Sequence, residues 1–73
     1  MSIEELYLQY EDAIEKQKKI IEEYRIKLNK ARKVNDLGKI AILNRYIKLL
    51  YEEKLEMEGH AISLREYLRP VQT

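Results

Sequence analysis

Two apolar stripes at helical spacing run along this chain, separated by the polar break Val34-Asn35-Asp36-Leu37-Gly38. Read in sevens from Ile3, one position carries Ile3, Tyr10, Gln17, Tyr24 and Ala31. Three residues on come Leu6, Ala13, Ile20, Lys27 and Val34, and one further on come Tyr7, Ile14, Ile21 and Leu28. That face is wider than the two-position seam of a dimeric coiled coil, and it predicts a helix over about residues 3–33. Ser2 is placed to cap it, and Glu5, three residues later, completes a capping box. Glu4 and Glu5 suit the positive end of the helix dipole; Lys27, Lys30, Arg32 and Lys33 suit the negative end.

Beyond a turn at about 34–37, the spacing predicts a second helix over about 38–69 and a tail over 70–73, because Pro70 disfavours helix at the residue before it. Asn35 or Asp36 can cap this helix, and Gly38 is the residue most easily bent. Its main stripe is Ile40, Leu43, Ile47, Leu50, Met57, Ala61, Leu64 and Leu68, with Lys54 interrupting. A second set, Ile42, Tyr46, Leu49, Tyr51, Leu55 and Ile62, makes the stretch from Ile40 to Tyr51 apolar on most of its circumference. A helix apolar nearly all round is a buried helix, and a single partner helix cannot bury it.

A connection this short makes the helices antiparallel neighbours. The expected fold is therefore an all-α, antiparallel two-helix hairpin, a helical coiled-coil hairpin that dimerises into a four-helix bundle. Ile42, Tyr46, Leu49, Leu55 and Ile62 are the expected protein interface, and Tyr46 and Tyr67, toward the edges, are the aromatic candidates for partner contact. Folding back at Asn35-Asp36 pairs residues whose numbers sum to about 71. Ile3 then lies near Leu68, Tyr10 near Ala61, and Tyr24 near Ile47. Gln17 falls opposite Lys54, which puts the polar interruptions of both stripes at one level: a layer that fixes register, or a coincidence. Ala13 falls near Gly59, so the side-chain layer has a low spot there. Either the helices approach closely, a partner fills it, or an exposed glycine is simply tolerated.

Size sharpens the expectation of a partner. A chain of 73 residues has room for one domain, and a core of that size is marginal unless a disulfide, a metal or oligomerisation supports it. Cysteine is absent and His60 is the only histidine, so disulfides and thiolate sites are excluded and a histidine-based zinc site within one chain is disfavoured. A homodimer is the expected support, with a heterologous protein as the other candidate.

The sequence carries no apolar run long enough to span a membrane and no signal-peptide core, so a soluble, cytoplasmic protein without membrane contact is expected. Its wealth of Ile, Lys, Glu and Tyr matches AT-rich bacterial coding.

Catalytic constellations are lacking. Ser2 and Ser63 have no histidine and acid at recognisable spacing, and Gly38 and Gly59 are isolated rather than part of a phosphate loop. Glu52, Glu53, Glu56, Glu58 and His60 are the residues from which a metal cluster could be built, but Glu56 points away from the stripe, unlike the inward ligands of di-metal bundles. No enzymatic activity, cofactor or metal is expected, and His60 reads as a surface or rim residue paired with Glu56.

Charge is distributed unevenly. Residues 1–24 carry seven acids and three bases; residues 25–48 carry eight bases and one acid; residues 49–73 carry five acids and three bases. In a hairpin the loop end is strongly positive and the open end negative. Lys39, Arg45 and Lys48 even occupy the first half of the second helix, where the dipole disfavours cations. A second hairpin laid antiparallel would compensate both ends. A nucleic acid held by Arg25, Lys30, Arg32, Lys33, Lys39, Arg45 and Lys48 would compensate one.

In architecture the chain resembles the Rop-type RNA-binding hairpins, which dimerise into four-helix bundles; the likeness is one of shape, without a shared motif. The two-helix sporulation phosphatases carry Ser-Gln-Glu-Leu-Asp in their second helix. The matching stretch here, Leu43-Asn44-Arg45-Tyr46-Ile47-Lys48, lacks the acidic residue, which argues against their activity. The expected role is a non-enzymatic assembly module. The alternatives are a nucleic-acid-binding hairpin and a small regulator or inhibitor that docks on a larger protein.

Overall fold

The computed structural model describes residues 2–68 as two helices, α1 (Ile3–Lys33) and α2 (Leu37–Leu68), packed side by side as a hairpin. The expected end of the second helix at residue 69 and the tail over 70–73 lie outside the described residues. The molecule is a rod, 58 × 18 × 18 Å.

Each helix boundary has a local cause. The Ser2 hydroxyl accepts from the Glu5 amide at 3.1 Å, capping α1. At the other end the Asp36 amide donates to the Ala31 carbonyl and the Asn35 amide to the Arg32 carbonyl. This six-to-one and five-to-two pair is the Schellman arrangement, which needs a left-handed residue just past the cap. Asn35 supplies it at φ 54°, a conformation asparagine tolerates better than most residues. Asp36 then starts α2: its carboxylate accepts from the Lys39 amide at 3.1 Å and its carbonyl from the Ile40 amide at 2.9 Å. Of the two capping candidates, then, Asn35 reverses the chain and Asp36 caps. Gly38 needs no special backbone conformation and lies within the first turn of α2, as does Leu37.

The core is narrow. α1 buries Ile14, Gln17, Ile21, Leu28 and Ala31, whereas α2 buries only Leu43 and Ala61. Leu28, Ala31 and Leu43 form one cluster, flanked by Tyr24, Ile40 and Ile47. Gln17 is satisfied where it is buried, donating to the Leu50 carbonyl at 3.1 Å and the Glu53 carboxylate at 3.3 Å. Lys54, the polar interruption of the other stripe, keeps only 17% of its side chain exposed and pairs with Glu58 at 3.1 Å. The two interruptions therefore share a level, and each is satisfied by α2 groups one turn or less away.

Candidate functional site: the uncovered faces of the hairpin

Residues along a helix advance by about 100° each. On that basis the second apolar set of α2 does not form one stripe. Ile42, Tyr46 and Leu49 lie within roughly 60° of one another on one flank of the helix, while Leu55 and Ile62 lie roughly 200° away, past the core-facing side, on the other. Contacts with α1 agree. Tyr46 meets Tyr24, ring centroids 6.1 Å apart, and His60 stacks on Tyr10 at 5.5 Å. On the opposite flank Arg25 donates to the Tyr51 hydroxyl at 3.4 Å, and Ile62 borders a groove with Tyr7, Glu11, Lys18 and Arg65.

The two flanks differ in chemistry. The first carries Ile20 and Tyr24 from α1 beside Ile42, Tyr46 and Leu49 from α2, with Ile42, Tyr46 and Leu49 left 58%, 52% and 48% exposed. Toward the open end it continues into a hollow of about 280 Å³ lined by Leu6, Gln9, Tyr10, Ala13 and Met57. The second flank also exposes Leu55 and Ile62, but among acids and bases: Glu11, Glu15, Lys18, Glu58 and Arg65 all border its groove.

Ile20 occupies a heptad position that reads as core, but the structure leaves it exposed. Tyr67 is exposed as well.

Ala13 borders a hollow, but Gly59 has no part in it. A Cβ built on Gly59 would meet nothing within 4 Å. The glycine faces outward, and Ala13 and Met57 shape the hollow. His60 is likewise exposed, yet it stacks on Tyr10 rather than pairing with Glu56. Among the described residues no three acidic, histidine or cysteine side chains are placed to hold a metal ion, and no helix is long and apolar enough to cross a membrane.

The basic residues surround the loop end rather than line one face. Arg25, Lys30, Arg32, Lys33, Lys39, Arg45 and Lys48 are all exposed. Among the described residues the ion pairs are Lys16–Asp12, Lys18–Glu15 and Lys54–Glu58, so none of the seven is paired.

The sequence matches no protein-family model, and neither a curated protein nor a solved structure gives a significant match.

Proposed function

We propose that this chain is a cytoplasmic, non-enzymatic assembly module that self-associates through the flank bearing Ile20, Ile42, Tyr46 and Leu49, closing a four-helix bundle. One quantity carries the reading. A compact monomer of 8.8 kDa exposes about 4,800 Å², whereas this chain exposes 6154 Å². The excess, roughly 1,400 Å², is larger than the 800 Å² or so that each partner buries in a stable interface. On the first flank Ile42, Tyr46 and Leu49 are each about half exposed, with Ile20 at 38% beside them. Ile20, Ile42, Tyr46 and Leu49 are already about half covered, so burying the remainder contributes on the order of 1 kcal/mol each. A core of seven buried residues needs that support.

Light scattering of the purified chain tests this, together with Ile42→Lys and Leu49→Lys. Wild type is expected as a dimer and both variants as monomeric or largely unfolded chains. A folded, unchanged dimer from both variants, or a folded wild-type monomer at high concentration, overturns the reading.

A second reading, a nucleic-acid-binding hairpin, is favoured by the seven unpaired cations at the loop end. Its signature is RNA or DNA binding whose logarithm falls steeply with the logarithm of salt concentration, by about 0.7–0.9 per phosphate contact. Arg32→Glu and Lys39→Glu would abolish that binding.

A further inference from the structure

Resting on self-association through the first flank, we infer that the occupant is a second copy laid antiparallel, with Tyr46 and Leu49 of each chain seated in the Leu6–Tyr10–Ala13–Met57 hollow of the other.

Shape argues for this first. The flank is not uniform along its length. Its loop half carries Ile42, Tyr46 and Leu49, each about half exposed, and its open half holds the hollow lined by Leu6, Gln9, Tyr10, Ala13 and Met57, with His60 stacked on Tyr10 at its edge. A parallel pair would set these side chains against their own copies and hollow against hollow, leaving two voids without contacts. An antiparallel pair sets them over a hollow, twice, by the same twofold axis that relates the chains. Position along the rod agrees. In α2 numbering the exposed residues centre near residue 46. The hollow, bounded by Met57 on α2 and by Tyr10 at the level of His60, centres near residue 60. The axis relating them falls near residue 53, which is also about the middle of Leu37–Leu68. Seating the side chains and overlapping the full rods therefore require the same placement.

Charge gives an independent reason. The loop segment, residues 25–48, has eight bases against one acid, while the two segments at the open end hold twelve acids and six bases together. A parallel pair stacks two unpaired cationic ends side by side; an antiparallel pair sets each beside an acidic end. Potentials matched in this way fix orientation as well as affinity.

The chain has no cysteine, so Lys33→Cys, at the exposed loop end of α1, gives a single spin-label site on the full chain. In an antiparallel dimer the two labels are about 45 Å apart, since each helix rises 1.5 Å per residue. In a parallel one they are within about 20 Å, the width of two packed hairpins. A dimer with the long distance is the expected result. A dimer with the short distance overturns the orientation while self-association stands, and a monomer by light scattering overturns both. Ala13→Phe tests the seating, because it fills the hollow from the hairpin's own side. Dimer affinity is expected to fall at least ten-fold with helical circular dichroism retained. Unchanged affinity in a folded variant would show that nothing enters the hollow.

Discussion

The two helices are nearly equal in length, yet they divide burial unequally. α1 turns five residues inward; α2, much the more apolar of the two, turns in only two and leaves Ile42, Tyr46, Leu49, Leu55 and Ile62 in water. α1 is the better balanced: a wide apolar face on one side, charge on the other, and Ile3, Leu8, Ile20 and Ile26 as its exposed large apolar residues. A helix in a lone hairpin needs about a third of its circumference apolar, and α2 has apolar residues on both flanks of its core-facing side. The asymmetry separates two kinds of hydrophobic position: one that holds the hairpin, and one that gains stability only when something else covers it.

The sharpest way to break that comparison is to cut one residue of each kind. Leu28 is 7% exposed in the core cluster with Ala31 and Leu43, and Leu28→Ala should cost about 2–5 kcal/mol. In a chain this small that loss unfolds it at any concentration, as circular dichroism would show. Leu49→Ala removes the same atoms from α2's exposed flank. It should leave the isolated hairpin's stability within about 1 kcal/mol but lower the melting temperature of concentrated protein and weaken its dependence on concentration, because a weaker self-association adds less stability as concentration rises. Equal, concentration-independent losses from the two variants would erase the distinction.

How much of this was legible in the sequence follows from what periodicity measures. Heptad spacing located both helices and the reversal between them, and the expected pairing near a sum of 71 is met within about one residue by the Tyr10–His60 and Tyr24–Tyr46 contacts. Periodicity ranks positions around one helix, but it does not say which of two flanks a partner uses. Ile42, Tyr46, Leu49, Leu55 and Ile62 share apolarity, and their angular positions on α2 set them on two flanks. Ile20 is the converse case: its heptad slot is core, but the two-helix core is too narrow to reach it. The division of labour between Asn35 and Asp36 was also open, since either residue type caps helices and either tolerates a left-handed backbone; only the hydrogen bonds to Ala31 and Arg32 separate them.

The helix starts extend the comparison at a smaller scale. α1 begins with Ser2 followed by Glu4 and Glu5, so its exposed amides have a cap and two favourable charges. α2 has no acidic residue in its first turn and meets Lys39 there instead. Asp36 alone offsets that end, through the bond to the Lys39 amide and through its charge. Asp36→Ala should therefore cost more than Ser2→Ala, about 1–2 kcal/mol against about 0.5–1, measured by chemical denaturation. The Schellman bonds at the turn are backbone to backbone and survive both changes. If Ser2→Ala proves the costlier, the dipole of α2 is being compensated by something other than its cap, and the acidic end of a second chain is the obvious source.

Gly59→Ala gives the smallest effect and the most local one. Glycine inside a helix costs about 1 kcal/mol relative to alanine, through backbone freedom lost on folding. At many helical glycines that cost is tied to close packing, but a Cβ at Gly59 enters open space, and the Ser63 hydroxyl bond to its carbonyl does not involve the missing side chain. Alanine should therefore raise the melting temperature by about 4–8 °C for a domain of this size. Because Gly59 lies on the outer side of α2, away from both the core and the Ile42–Leu49 flank, the gain should be the same in dilute and concentrated protein. A gain that shrinks as concentration rises would mean that a second chain reaches this outer surface, and the covered face of α2 would then be a different one from the Ile42–Leu49 flank.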